Sequence, residues 1–391
     1  MDPPTTEVGS PLRISLLGHA SGRRADGLSS YSEQVALGLQ RRGCSVFLHH
    51  ARADGTVVPV PPSQVSTWPT WRFKTVSMPT PGFRSRMRAR LAWERPHVTH
   101  CSLSFTLDDG WVGARARELG SATVATFHLP FGAEHSGRGL VMREVHRFWL
   151  RRLSHYQRLI LFSEPHRRRL IRLGVDPQRV VVVPNAVDTT VFSPAASGPR
   201  AERLASGAPV VGYLGRLDPE KGITTLLAGF RASDLGEGAR LVIAGAGSQV
   251  GEVRRAAALD HRIVYLGQLV GAESRADFWR ASDIFCLPSS AEGLSISLLE
   301  AMASGCAVLT TPEGGLAAAG AGALPLDPRQ LQQSVAAQLS RLAADPELIE
   351  STARRARERA VDRNGMAAMI DHLLSIYREC MGEMTAPLSR A

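Results

Sequence analysis

Short apolar runs recur along the chain, each closed by a turn residue and most followed by apolar positions at helical spacing. Residues 12–17 form the first such run and end at Gly18. A loop carrying Gly22 and Gly27 then leads to a helix over 31–42, with Val35, Leu37 and Leu39 as its apolar positions and Gly43 as its stop. Further buried strands are predicted over 44–48, 98–103, 122–128, 159–162 and 180–183, with basic helices over 143–158 and 167–173. Residues 51–95 read as irregular and Pro-rich. The stretch 193–208, SPAASGPRAERLASGA, has linker composition. Beyond it the pattern restarts, with strands over 209–214, 240–244, 262–266, 284–287 and 307–309. Helices are predicted over 223–230, 296–303, 330–343, 346–360 and 366–381. Strand–helix alternation in two blocks predicts an α/β chain of two doubly wound, Rossmann-like domains. Their expected bounds are 1–191 and 209–365, joined by a linker over 192–208, with a last helical segment over 366–391.

The chemistry concentrates where the strand 284–287 breaks at Pro288. The loop Ser289-Ser290-Ala291-Glu292-Gly293 follows, and Glu300 lies eight residues after Glu292, about two helical turns along. The free backbone N–H groups of a helix N-terminus favour anions. Phosphates therefore suit the space between the two acids, with one carboxylate facing a sugar and the other a ribose. That is a nucleotide-sugar site in outline. His128 is predicted at the C-terminal end of a strand, the edge that lines the ligand crevice of an open parallel sheet. The first strand–glycine loop–helix unit accommodates phosphate, but GxGxxG is absent, which counts against an NAD domain.

Bulk properties narrow the picture. At 391 residues the chain is long enough for two cores. It holds no apolar run long enough to span a bilayer, and its first residues lack the layout of a signal peptide. Five scattered cysteines, with no CxxC, predict reduced thiols in a cytoplasmic protein and no structural zinc. The net charge of +10 is uneven. Residues 1–200 carry 27 Lys and Arg against 14 Asp and Glu, whereas residues 201–391 carry 19 against 22. A basic half suits an anionic partner, although high arginine usage alone would also produce it. Trp68, Trp71, Arg72, Phe73, Lys74, Phe83, Arg84, Arg86, Arg88, Arg90 and Trp93 interleave cations with aromatics, as an interfacial contact with anionic lipid would. A solvated helix with its aromatics in the core reads equally from the same residues. No nucleic-acid-binding module accompanies the charge, so no nucleic-acid partner is expected.

Four segments carry a resemblance over nearly the full length: VVVVPNAVDTTVFSP (180–194), VGYLGRLDPEKG (211–222), LVIAGAGS (241–248) and the Glu292-to-Glu300 spacing. In that order the chain resembles the GT-B glycosyltransferases of family GT4, with Ala186 in place of the usual glycine of the first segment. The resemblance implies two domains closing over a nucleotide-sugar donor, retaining transfer that leaves an α-linkage, and no metal or cofactor. Arg216 and Lys221 would hold the diphosphate in place of a metal, which suits a leaving group that gathers charge. Gly215 and Gly27 would lie near the phosphates; here Asp26-Gly27 stands where the family has Gly-Gly. Glu292, with Gly293, would meet the donor sugar and Glu300 the ribose. Backbone N–H groups of Leu294, Ser295 and Ile296 would meet the β-phosphate, and Gln268 and Leu269 the base. His128 corresponds to a family histidine near the transferred sugar; with Glu292, Arg216 and Lys221 it makes up the expected catalytic set. The first domain would choose the acceptor, with Tyr31, Trp71, Arg84 and Asn185 as contacts. A membrane glycolipid is the leading expectation, as in galactosyldiacylglycerol-type synthases, with peripheral attachment to an anionic membrane surface. A soluble sugar or polysaccharide acceptor, and a non-catalytic nucleotide-binding protein, are the alternatives.

Overall fold

Strands that are apolar on both faces need cover on both faces, and parallel sheets obtain it from their crossover helices. The computed structural model describes residues 11–18, 27–51, 61, 64–68, 70–73, 76–103, 107–128, 150–194, 204, 206, 208–290 and 295–385. The chain divides into two compact units, Met1–Val183 with Ile370–Ala391, and Pro184–Met369. The first boundary falls ahead of the linker-like 192–208 stretch, because the Val187 N–H donates to Asn364 O (2.8 Å) and Met366 N–H donates to Val187 O (3.1 Å).

The first unit contains β1 (Arg13–Leu17), α1 (Gly27–Arg41), β2 (Ser45–Ala51), β3 (Val65–Trp68), β4 (Thr70–Phe73), β5 (Val76–Pro79), α2 (Phe83–Glu94), β6 (Val98–Ser102), α3 (Leu107–Glu118), β7 (Ala122–Thr126), β8 (Arg158–Leu161), α4 (Glu164–Arg172) and β9 (Val180–Val182). Seven strands form a parallel sheet in the order β3-β2-β1-β6-β7-β8-β9, while β4 and β5 pair as a separate antiparallel hairpin. Residues 64–94 are therefore more regular than their proline content suggested. Phe83, Met87 and Leu91 recur every four residues and are the buried positions that hold α2 to the sheet. Beneath α2, His49 bridges Ser66 (Nδ1 to Oγ, 2.6 Å) and Glu94 (Nε2 to Oε2, 3.1 Å), joining β2, β3 and the helix in one buried polar cluster.

The helix expected over 143–158 ends sooner. A single 3-10 turn occupies Leu153–His155 and Arg158 opens β8; residues 129–149 lie outside the described residues. Sheet pairing wins here over helical spacing. Gln157 N–H donates to Thr123 O (2.9 Å), and the buried Tyr156 donates its hydroxyl to Asp109 O (2.7 Å).

The second unit contains β10 (Val210–Leu214), α5 (Ile223–Arg231), β11 (Arg240–Ala244), α6 (Val250–Leu259), β12 (Ile263–Gly267), α7 (Ala272–Arg280), β13 (Ile284–Leu287), α8 (Ile296–Ala303), β14 (Ala307–Thr310), β15 (Ala323–Pro325), α9 (Leu331–Ala344) and α10 (Pro346–Asn364). Its six strands run β12-β11-β10-β13-β14-β15, all pairs parallel. Phe230, Ile243, Trp279, Phe285 and Leu309 lie fully buried in the core between sheet and helices.

The last helix, α11 (Met366–Thr385), starts in the second unit, and from Ile370 onward it packs in the first. Gly38 on α1 makes room for it, since a Cβ there would lie 2.5 Å from Ile370 Cγ1. Arg42 pairs with Asp371 (2.7 Å), Arg158 pairs with Glu383, and Gln157 donates to Cys380 O (2.8 Å). At its centre the Tyr377 hydroxyl lies 2.6 Å from His100 Nδ1, whose Nε2 lies 2.7 Å from Thr126 Oγ1. Among the described residues no helix is long and apolar enough to cross a membrane.

Complete burial lowers the His100 pKa from 6.5 to about 3. The imidazole is thus neutral in the fold and takes up a proton only on unfolding, so its contribution is present above pH 6.5 and is lost as pH falls toward 3. Lowering the pH from 7 to 5 should cost about 2 kcal/mol through this group. Urea unfolding at the two pH values checks it: His100→Gln should show a smaller pH dependence than the parent chain by roughly that amount.

Candidate active site

In the second unit the chain leaves β10 toward β11 on one side and returns to β13 on the other. The carboxyl ends of β10 and β13 therefore flank the switch point of the sheet, where open α/β folds form a ligand crevice. The loop after β10 carries Gly215, Arg216 and Lys221. The loop after β13 carries Ser289 and Ser290 and leads, through residues 291–294, to α8.

Close backbone packing holds the first of these loops. Gly215 N–H donates to Ala244 O (3.1 Å) and Leu217 N–H to Ala246 O (2.9 Å), while the Tyr213 hydroxyl donates to Arg216 O (2.7 Å). Gly245 has φ 143°, and a Cβ on it would lie 1.8 Å from Gly215 O, so only glycine fits there. At the far end Gly222 has φ 72°, and a Cβ would lie 2.2 Å from Pro288 O. The Glu220 carbonyl ties this loop to the next by accepting from Ser289 Oγ (2.9 Å) and from Ser290 N–H (2.9 Å).

Arg216 is half exposed and bracketed by two carboxylates, Asp218 Oδ2 at 2.6 Å and Glu220 Oε1 at 2.7 Å. Burial works to lower its pKa, but Glu220 and Asp218 outweigh that and raise it. Burial likewise works to raise the Asp218 pKa, and is outweighed by the Ser248 N–H (3.0 Å) and hydroxyl (2.9 Å) and by Arg216, which together lower it. Lys221 is half-buried in the 3-10 turn Pro219–Lys221.

Ser295 caps α8, its Oγ accepting from Leu298 N–H (3.3 Å), and Ile296 begins the helix. Glu292, Gly293 and Leu294 lie outside the described residues, so their expected contacts stand as proposals. Glu300, the fifth residue of α8, is buried to 1% exposure. Its Oε1 accepts from Arg275 Nε (3.0 Å) and its Oε2 from Trp279 Nε1 (3.3 Å). Burial raises its pKa against the opposing pull of Arg275 and Trp279. Arg275 and Trp279 went unread in the sequence. Their i,i+4 spacing puts both on one face of α7, but nothing local says that a carboxylate waits there. Gln268 and Leu269 follow β12 beyond Gly267, whose carbonyl accepts from Gly245 N–H (2.7 Å); Gln268 is exposed and Leu269 half-buried.

In the first unit His128 follows β7 and is half-buried. Its ring meets Tyr31 edge-on at 4.9 Å and Phe162 at 5.2 Å. Tyr31, expected as an acceptor contact, stands beside His128. It is 2% exposed, its hydroxyl lies 3.3 Å from Thr126 Oγ1, and burial pushes its pKa up to about 12. Asn185 is also buried, at 5% exposure. Its carbonyl accepts from Asn364 Nδ2 (2.9 Å), which makes it a clasp between chain segments. Arg84 is exposed on α2 and pairs with Asp108 (2.7 Å). Trp71 lies opposite Met78 in the β4–β5 hairpin, and Gly27 is the first residue of α1; the side chain at Trp71 lies outside the described ones. Among the described residues no group of His, Cys, Asp or Glu is placed to hold a metal ion.

Two Rossmann-like units, with cationic and helix-capping loops tied together at the second unit's switch point, have the architecture of the GT-B fold. A family profile described as glycosyl transferases group 1 matches residues 208–345, and one described as glycosyltransferase family 4 matches residues 25–191. The chain belongs to that family. It is 32% identical over 260 residues to a D-inositol 3-phosphate glycosyltransferase of Kineococcus radiotolerans, covering 59% of this chain and 58% of that protein. It is 30% identical over 227 residues to an alpha-maltose-1-phosphate synthase of Mycolicibacterium smegmatis, covering 53% of this chain and 58% of that protein. A D-inositol 3-phosphate glycosyltransferase of Mycobacterium bovis matches at 29% over 94% of this chain and 81% of its own length. The match thus spans a little over half the length of the first two relatives. Among solved structures, sucrose-phosphate synthase from Thermosynechococcus elongatus superposes with a TM-score of 0.75 at 22% identity, covering 95% of this chain and 99% of that one. Anabaena HepE, in complex with UDP and glucose, superposes at 0.72 with 16% identity, covering 94% of this chain and 100% of that one. Both show the same fold.

If Arg216 takes a diphosphate, as the resemblance implies, Asp218 and Glu220 already occupy the guanidinium it would need. Glu220→Gln should therefore tighten binding of a nucleoside diphosphate about two- to fivefold, the worth of one exposed ion pair. Isothermal titration with UDP, GDP and ADP checks this; weaker binding by the variant would contradict it.

Proposed function

We propose that this chain is a retaining hexosyltransferase that takes its sugar from a nucleoside diphosphate sugar and gives it to a soluble phosphorylated sugar or polyol. The observation that carries the donor reading is the tie through the Glu220 carbonyl, which holds Arg216 and Lys221 next to the loop that leads into capped helix α8. In this reading the two cations and the N-terminus of α8 take the diphosphate without a metal ion, Glu292 meets the donor sugar, and Glu300 meets the ribose. Transfer breaks the bond from the anomeric carbon to the β-phosphate oxygen as charge gathers on the phosphate, where fixed cations act most strongly. No second carboxylate is assigned as a nucleophile. The departing phosphate oxygen then accepts the proton of the acceptor hydroxyl, which attacks from the same face and leaves an α-linkage.

The acceptor reading rests on two supports. Relatives are named for D-inositol 3-phosphate and for alpha-maltose-1-phosphate, and residues 1–200 carry the excess of Lys and Arg that a phosphorylated acceptor would find favourable. One observation favours the glycolipid expectation instead. On α2, Trp93 is 65% exposed in company with exposed Arg84, Arg86 and Arg88, an arrangement suited to an anionic interface.

Nucleotide release from UDP-, GDP- and ADP-sugars, measured with inositol phosphate, with hexose phosphates and with extracted polar lipids, separates these. Release stimulated by a sugar or polyol phosphate is the expected result; stimulation by lipid alone overturns the acceptor reading. Under the same conditions Glu292→Ala should lower turnover about 100-fold while leaving thermal unfolding unchanged. If α2 does dock on membranes, sedimentation with anionic liposomes should weaken as salt rises.

A further inference from the structure

We propose that Arg275 is a positioning residue that sets the ribose specificity of the donor site, by fixing the direction of the Glu300 carboxylate and at the same time mooring the turn in front of α7. The inference rests on the donor reading above and goes beyond it, to a residue outside the loops that carry the family resemblance.

Glu300 is removed from water almost completely, and a lone carboxylate so placed would favour its protonated form. Protonation would spoil the group for recognising a diol. A carboxylate accepts from two neighbouring hydroxyls with its two oxygens, whereas a carboxylic acid must donate from one of them. The Arg275 guanidinium, itself only 13% exposed, meets Oε1 through Nε at 3.0 Å and opposes that protonation. Trp279 Nε1 meets Oε2 at 3.3 Å. Each oxygen is thus engaged once and retains capacity for one further donor, as the adjacent hydroxyls of a ribose would supply.

The same guanidinium works in a second direction. Its Nη1 donates to Gly271 O (3.2 Å), and the neighbouring Ser274 hydroxyl donates to Val270 O (2.6 Å). These bonds fasten the turn from Gln268 to Gly271, which follows β12 directly, to the first turn of α7. Gly271 has φ 88° and makes that turn possible. The planar fork of an arginine reaches both partners at once; a lysine ammonium, as a point charge, keeps the charge but not the pair of fixed directions. Arg275 therefore couples the carboxylate that would read the sugar of the nucleoside to the turn beside the base.

Isothermal titration of UDP, GDP and ADP and their 2′-deoxy counterparts tests this with the full chain. The parent should prefer the ribonucleotide by about tenfold or more, the loss expected when a bond to a charged group goes unmade. Arg275→Lys, which keeps a cation beside Glu300 and so preserves folding, should narrow that ratio to about threefold or less. Arg275→Met with Glu300→Gln, a neutral pair that avoids a buried unpaired charge, should abolish it. A merely structural role would lower affinity for both sugars alike and leave the ratio unmoved, so an unchanged ratio in folded Arg275→Lys overturns the inference. A parent chain that binds these diphosphates without ribose preference overturns it too, and leaves the donor reading standing. A parent chain that binds none of them overturns both.

Discussion

The second unit depends on backbone lying against backbone with no side chain between. The loops after β10, β11 and β12 stack in sequence, Gly215 bonded to Ala244, Gly245 bonded to Gly267, and the space beside Gly245 filled by the Gly215 carbonyl at van der Waals limits. Loops packed this way have little freedom to drift, so Arg216 and Asp218 are set by their neighbours rather than by their own rotamers. The Glu220 carbonyl extends the same constraint across the switch point to the loop that leads into α8. A site that must act through direction and charge gains most from such support, because preorganised groups need not rearrange as charge develops.

Electrostatics follow from that rigidity. Arg216 faces Asp218 and Glu220, and Glu300 faces Arg275, so the unit carries its charges in matched sets before any ligand arrives. In the proposed donor reading, a diphosphate entering the first set would exchange one anion for another, and the net gain would be the difference between the two. The second set is more deeply buried, and breaking either of its partners leaves a charge in a dry place. The first unit shows the opposite arrangement. Its buried polar chain through Tyr377, His100 and Thr126 is neutral, and it serves to fasten α11 to the sheet.

Much of this was legible in the sequence because parallel strands are apolar on both faces and their loops are punctuated by glycine. The strands over 13–17, 240–244 and 284–287 appear within a residue or two of where their apolar runs lie. The helix that carries Glu300 and the loop that carries Arg216 and Lys221 were legible for a different reason, since local spacing along one loop or helix survives without knowledge of the fold. Partners brought from elsewhere were not. Arg275 and Trp279 meet Glu300 across two helices, and Asn364 meets Asn185 across 179 positions of chain. The surroundings of Tyr31 were hidden for the same reason, since Thr126 and the ring of His128 reach it from β7 and just beyond. Over 64–94 the prolines and arginines hid a four-residue apolar repeat that α2 uses to pack.

The central claim is that fixed cations, rather than a metal ion, neutralise the diphosphate of a nucleotide sugar. Release of nucleoside diphosphate from UDP-, GDP- and ADP-glucose, followed in the presence of EDTA and again with added magnesium, tests it most directly. The account predicts turnover that persists in EDTA and falls sharply when Arg216 or Lys221 is replaced by alanine. Turnover abolished by EDTA and restored by magnesium would contradict it.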